Sequence, residues 1–215
     1  MKNKTIAIIQ ARLTSTRFPK KVLQKINNKT LIEFLVNRLL LSKKVDQVLV
    51  AIPNNKKNKI IKKHIKGVNF FLGSENNVLD RYYKAAKKFN ATTIVRICGD
   101  CPFIDPKIID KILTIYKQKK YDYASNTIKP TFPDGLDVEV FSSKVLKDVW
   151  RKAKSKYDKE HVTTYIVKNK KYKKYNYEYK TDLSKLRLTI DEKVDLEQLK
   201  IVFKNLKNIK NFGIE

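Results

Sequence analysis

The sequence predicts an α/β domain of Rossmann-like build, and three observations carry that expectation. Short apolar runs at residues 6–9, 48–52, 68–72 and 93–98 have the length and β-branched content of strands buried on both faces. Between them, apolar residues recur at helical spacing over roughly ten residues or more, the alternation expected of crossovers onto a mostly parallel sheet. At 215 residues the chain is long enough to bury a full core as one domain.

The first strand, Ile6-Ala7-Ile8-Ile9, opens into a polar, basic loop. Arg12, Ser15, Thr16, Arg17 and Lys21 place three charges and two hydroxyls just outside its carboxyl end, where open α/β sheets bind ligands. Guanidinium groups pair with phosphate oxygens bidentately and Lys adds a mobile charge, so the loop suits an anion with several phosphates. A solvated basic loop is the plain alternative. Neither Gly-x-x-x-x-Gly-Lys-Ser/Thr nor Gly-x-Gly-x-x-Gly occurs.

Thr30 then caps a helix carrying Leu31, Phe34, Leu35 and Leu39. Strand 48–52 ends at Pro53-Asn54-Asn55, a helix is expected over 56–65, and strand 68–72 stops at Gly73-Ser74. The next helix runs to about Phe89, and strand 93–98 breaks at Gly99-Asp100-Cys101-Pro102. A carboxylate directly after a buried strand is well placed to hold a hard cation, and Mg²⁺ takes only one or two carboxylates plus substrate phosphates. A capping or turn role is the alternative for Asp100. Cys98 and Cys101 spell Cys-x-x-Cys. A redox motif of this kind normally begins a helix and a zinc site needs a second pair, so two buried thiols flanking Asp100 is the favoured reading.

Asp105-Pro106 starts a helix through Ile108, Ile109, Ile112, Leu113 and Tyr116, and a short strand at 121–126 follows, ending at Asn126. Residues 136–141 alternate, which puts Asp137 and Glu139 on one face and Leu136, Val138 and Val140 on the other. Such acids pair with basic loops, contact sugar hydroxyls or face solvent, the last being commonest. A helix with Val145, Leu146, Val149 and Trp150 leads to Glu160-His161-Val162-Thr163, where a lone His161 reads more readily as structural than catalytic. Residues 172–179 alternate like an exposed strand and read as sheet or subunit-contact surface. Strand 186–190 ends at Asp191, repeating the Asp100 arrangement, and a terminal helix carries Leu199, Val202, Phe203 and Leu206. Two such acids at the mouth of one sheet, opposite a triply basic loop, form a metal-plus-triphosphate site.

The 48 Lys+Arg against 21 Asp+Glu give a formal charge of +27, which on its face suggests nucleic acid. The charge is dispersed, in Lys56-Lys57, Lys62-Lys63, Lys87-Lys88, Lys119-Lys120 and residues 170–174, so no nucleic-acid partner is expected; a general pull on nucleotides and acidic sugars is. Two cysteines make no disulfide scaffold, the opening apolar run is short for a signal peptide, and Glu33 and Arg38 interrupt the most apolar helix. A cytoplasmic protein without a membrane partner is the expectation.

In chain order, Ala11-Arg12-x-x-Ser15-Thr16-Arg17-Phe18-Pro19-x-Lys21, Gly73-Ser74-Glu75 with Val78-Leu79-Asp80-Arg81, Gly99-Asp100-Cys101-Pro102, Phe132-Pro133-Asp134-Gly135-Leu136-Asp137-Val138-Glu139, Glu160-His161-Val162-Thr163 and Leu188-Thr189-Ile190-Asp191 resemble the cytidylyltransferases that activate acidic sugars. The resemblance is to the spore-coat polysaccharide biosynthesis type, akin to CMP-Kdo synthetase and acylneuraminate cytidylyltransferase. It implies a three-layer α/β/α nucleotide-diphospho-sugar transferase fold with a mostly parallel mixed sheet. It also implies one domain over 1–215, with residues 127–180 as an acceptor-binding or dimerisation insertion. The implied activity is Mg²⁺-dependent transfer of CMP from CTP to an acidic 2-keto sugar, with pyrophosphate released, usually by a homodimer. Carried over by position, Ala11, Arg12, Ser15, Thr16, Arg17, Lys21, Asp80 and Arg81 bind nucleotide, and Arg12, Lys21 and Asp100 are catalytic. Asp100 and Asp191 hold the metal, and Asn126, Asp137, Glu139 and His161 face the acceptor. The family generally has Gly where Lys20 stands, and the Kdo enzymes have Gln where Cys98 stands. The rivals are a nucleotidyltransferase with another base or acceptor and a non-enzymatic polyanion-binding protein.

Overall fold

The computed structural model describes residues 3–206 and 212–214. β1 (Thr5–Gln10) is followed by a small antiparallel ribbon, β2 (Lys25–Ile26) with β3 (Lys29–Thr30). Then come α1 (Leu31–Leu39), β4 (Gln47–Pro53), α2 (Lys56–Lys59), β5 (Asn69–Gly73), α3 (Val78–Lys88), β6 (Thr93–Cys98) and α4 (Pro106–Lys119). The second half adds β7 (Tyr123–Ser125), β8 (Glu139–Ser142), α5 (Ser143–Lys152), α6 (Lys156–His161), α7 (Thr164–Lys168), β9 (Lys174–Asn176) and α8 (Lys193–Asn205).

Helix starts follow the capping residues. The Thr30 hydroxyl accepts from Glu33 N, Asn77 accepts from Asp80 N, and Asp105 accepts from Lys107 N ahead of Pro106. β1 alternates between two cores: Ala7 and Ile9 pack with α1, α4 and α8, while Ile6 and Ile8 pack with α3 and α5. Helices therefore cover both faces of the sheet, the predicted three layers.

Seven strands form the main sheet in the order β5-β4-β1-β6-β8-β7-β9. The first four are parallel, β8 runs antiparallel to both β6 and β7, and β9 returns parallel to β7. After β1 the chain steps outward through β4 and β5 and returns on the other side of β1 as β6. The strand order reverses between β1 and β6, and ligands of open α/β sheets bind outside the carboxyl ends at such a reversal.

Several expectations are corrected. The helix at 56–65 is one α turn followed by a 3₁₀ turn at Ile60–His64. Residues 186–190 form no strand of the main sheet; they hydrogen bond to a turn, with Asp134 N donating to Leu186 O (2.9 Å) and Leu188 N to Asp134 O (2.7 Å). Gly135 permits that crossing: its φ is +106°, and a Cβ would lie 2.6 Å from the Leu188 carbonyl carbon. The reading of 172–179 as sheet holds, since β9 lies within it, and Tyr177 and Tyr179 lie against Phe132 with ring centroids 5.4 and 5.1 Å away. Apart from these corrections, the 127–180 segment contributes β8 and β9 to the main sheet. In α8, Leu199 and Phe203 are buried but Val202 is exposed.

Candidate active site

β1 and β6 end side by side, with Gln10 and Cys98 in register. Gly99 N donates to Gln10 O (2.9 Å), and a Cβ at Gly99 would lie 2.7 Å from that oxygen. Only glycine lets the two chains leave the sheet this close together.

The loop after β1 is held from below by a polar chain. Leu13 N donates to the fully buried Asn58 side chain (2.7 Å), Asn58 donates to Asn55 (2.9 Å), and Asn55 to Glu75 (2.9 Å). Thr14 Oγ1 donates to the other Glu75 oxygen at 2.6 Å. Lys20 N closes the loop on Leu13 O (3.0 Å). Lys20 itself has φ +58°, so the position where the family generally carries Gly is left-handed here, at a cost of about 1–2 kcal/mol for a side-chain-bearing residue.

Lys21 follows at the start of a 3₁₀ turn (Lys21–Leu23) and is buried. Its Nζ donates to Asp100 Oδ2 (2.8 Å) and to Asp191 Oδ1 (2.9 Å). The two acids beyond separate segments therefore converge, as their placement implied. Arg17 Nη2 reaches Asp191 Oδ1 at 3.0 Å and Arg187 Nη2 reaches Oδ2 at 3.6 Å. The Asp100 carbonyl accepts from Ile190 N (2.9 Å) and Thr189 Oγ1 (3.2 Å), which fastens the two acid-bearing segments together. Burial by itself lowers the Lys21 pKa, but Asp100 and Asp191 outweigh it and the net shift is upward. For Asp191 burial acts upward, while Lys21, Arg17 and Arg187 prevail and hold the carboxyl below its usual range.

A cavity of about 350 Å³ opens above this cluster, within the size of small-molecule sites. Its walls bring together Ala11, Arg12, Ser15, Thr16 and Arg17 from the loop, Arg81 from α3 and His161 from the end of α6, with Lys21, Asp100 and Asp191 at one end. Arg81 is buried, donates to Ser74 O (2.6 Å), and has its pKa lowered to about 10 by burial. Gln10 Oε1, Arg81 Nε and Arg96 Nε are buried without partners among the described residues, and all three side chains line the cavity. Unsatisfied polar atoms gathered at one place mark a site built for something other than its own packing.

Four predicted residues lie outside this lining. Asp80 precedes Arg81 on a helix, about 100° away around the axis, and faces Trp150 Nε1 (3.0 Å) and Lys84 (2.8 Å). Asn126 is buried and ties down the chain entering β8, donating to Leu136 O (2.8 Å) and accepting from Val138 N (2.9 Å). Glu139 is buried against Arg96, Tyr123 and Thr163, which overturns a solvent-facing pair of acids. Asp137 precedes β8, and burial, then Asp134 and Glu139, push its carboxyl up to about 7.

Arg96 and Glu160 line the cavity without having been singled out, Glu160 lying 3.7 Å from Arg12. A charge in the middle of the apolar run 93–98 was the available signal for Arg96. Burial raises the Cys98 thiol to about 12 and also raises Cys101 well above the ordinary thiol range, so neither is a thiolate near neutrality. For a metal, Asp100 and Asp191 offer two hard oxygens already gathered within 2.9 Å of one cationic nitrogen. That donor set fits Mg²⁺, which completes its shell with phosphate and water oxygens.

Fold and site together define an α/β protein of the nucleotidyltransferase class. The chain belongs to the cytidylyltransferase family, whose signature matches residues 6–212. It is 32% identical over 211 residues to the spore coat polysaccharide biosynthesis protein SpsF of Bacillus subtilis, covering 94% of this chain and 87% of that protein. It is 41% identical over 195 residues to an uncharacterized protein of Methanocaldococcus jannaschii, covering 87% and 78%. Among solved structures, a cytidylyltransferase from Leptospira borgpetersenii superposes with a TM-score of 0.93 at 34% identity, over 98% of this chain and 90% of that one. Among the described residues, no helix is long and apolar enough to cross a membrane.

Proposed function

We propose that this protein transfers CMP from CTP to an acidic 2-keto sugar, releasing pyrophosphate, as a cytoplasmic homodimer serving surface polysaccharide or glycan synthesis. The observation that carries this is the meeting of Asp100 and Asp191 around Lys21 at the strand-order reversal, under a loop bearing Arg12 and Arg17.

The reaction is in-line attack of a sugar hydroxyl on the α-phosphorus, with pyrophosphate leaving. Arg12, Arg17 and Lys21 are placed to take up charge on the departing pyrophosphate, so positioning and electrostatics supply most of the catalysis. The Arg12–Glu160 pair is half-exposed, at 45% and 53% of the side chains, and such pairs are worth little in water. Arg12 therefore exchanges its partner for phosphate at small cost. Asp100 and Asp191 would hold Mg²⁺, which when bound supplies charge neutralisation at the phosphates and acidifies a coordinated hydroxyl.

The deciding experiment measures pyrophosphate release with Mg²⁺ from CTP, ATP, GTP and UTP against a panel of 2-keto sugar acids. Release specific to CTP and dependent on one such acid is expected. A preferred nucleotide at 100 times its Kd should also stabilise the fold by about 2.7 kcal/mol. Binding without nucleotide preference that falls steeply with salt would instead identify a polyanion-binding protein. Light scattering of the purified protein tests the homodimer.

A further inference from the structure

The Glu139 carboxylate sits behind the cavity with both oxygens engaged. One pairs with Arg96, its register partner across β6 and β8 and a residue of the cavity wall. The other accepts from Tyr123 OH (2.6 Å) and from Thr163 Oγ1 (2.6 Å). Thr163 follows Val162, which is buried and has φ +63° and ψ −54°. Thr163 N donates to His161 O across it at 2.6 Å.

This is a γ-turn of the positive-φ type, rare and strained, with a β-branched residue at its centre. Such a conformation persists only where the surroundings over-determine it. Glu160 and His161, immediately before the turn, line the same cavity as Arg96. The Thr163 hydroxyl, immediately after it, is anchored on a carboxylate that also pairs with Arg96, among the stronger acceptors a protein offers.

We infer that Glu139 is a positioning residue of this site and Thr163 its link. One buried carboxylate fixes Arg96 in the wall and, through the Thr163 hydroxyl, holds the Val162 turn that presents Glu160 and His161 to the cavity. The inference deepens the proposed reaction and rests on it only for the nucleotide arm of its test.

Thr163→Val removes the hydroxyl while keeping the side-chain shape and leaves Glu139 paired with Arg96 and Tyr123. Thr163→Ser restores a hydroxyl. The chain has two histidines, His64 and His161, so NMR of the imidazoles reads the turn directly with His64 as an internal control. Thr163→Val should shift or broaden the His161 signal, leave His64 unmoved, and weaken CTP binding in the presence of Mg²⁺ five- to twentyfold by calorimetry. Thr163→Ser should restore both. Glu139→Gln keeps an acceptor for Thr163 but loses the charge facing Arg96, and should weaken CTP at least tenfold while the His161 signal stays in place. Wild-type values in Thr163→Val, or no rescue by Thr163→Ser, overturn the link; wild-type CTP affinity in Glu139→Gln overturns the Arg96 arm. If the unaltered protein binds no CTP, the proposed reaction fails, and the contrast between the two histidines still decides the positioning role.

Discussion

Two ion clusters flank the cavity, and they are built differently. Around Lys21, the Asp100 and Asp191 side chains keep 27% and 20% of their surface exposed, and Arg17 and Arg187 also reach Asp191. Behind the wall, Arg96 and Glu139 keep 12% and 7%, and Glu139 is saturated by Arg96, Tyr123 and Thr163. In the first cluster the cations share carboxylates, Arg187 pairing also with Asp134 (2.9 Å) and lying 3.8 Å from Asp195, and water is at hand, so its members can change partners. In the second, nothing can leave without stranding a buried charge. The same residue types thus serve ligand exchange at one place and architecture at the other.

Five substitutions test this difference. Asp100→Asn or Asp191→Asn should cut Mg²⁺-dependent pyrophosphate release by at least 100-fold, about 2.7 kcal/mol of barrier, with circular dichroism unchanged. Unaltered turnover in both variants would erase the distinction. Glu139→Ala should instead lower folding stability by about 3–5 kcal/mol in urea titration, because Arg96 is left buried and unpaired. A loss under 1 kcal/mol would show the second pair to be as exchangeable as the first.

Asp137 supplies a pH test with its sign fixed by linkage. Its folded pKa of about 7 lies above the ordinary carboxyl value, so the folded state binds the extra proton and stability falls as pH rises from about 4 to 7. Asp137→Asn should remove that slope, gaining on the order of 2–4 kcal/mol over the wild type at pH 8 and nothing at pH 4. Asp191 has the opposite sign: its depressed pKa adds stability above the ordinary carboxyl pKa, lost as pH falls through the folded value. A stability difference between wild type and Asp137→Asn that is flat with pH would place Asp137 in ordinary solvent. The smallest effect is expected at Lys20. Lys20→Gly relieves a left-handed backbone but frees the unfolded chain, for a net gain of about 1 kcal/mol or less in thermal unfolding.

Much of the parallel half was legible because strands buried on both faces read as unbroken apolar runs, and their ends carry the chemistry. The loop from Ala11 to Lys21 and the acid after β6 needed only that rule. Asp80 was misplaced because neighbours on a helix share a motif but not a face, and only Arg81 points inward. Glu139 was misplaced because alternation separates two faces without saying which is wet, and here both faces of β8 are covered by packed elements. Residues 186–190 looked like a strand from apolarity alone, yet their backbone partners come from the turn at Asp134. Asn58 left no signal, since a polar residue in a lysine-rich stretch looks solvated until something buries it, and Asn55 and Glu75 were visible as a turn and a motif but not as its partners.

What the sequence by itself determined is the succession of buried strands, the capping of the helices and the identity of the residues at each strand's end, all set by local periodicity and side-chain chemistry. Only the tertiary structure decided which of those residues share a cavity. It gathered Lys21, Asp100 and Asp191, from distant parts of the chain, around one ammonium group, and withdrew Glu139 into the wall. The reason is physical: strand order and crossover direction govern distance, and neither is written in any single stretch of chain.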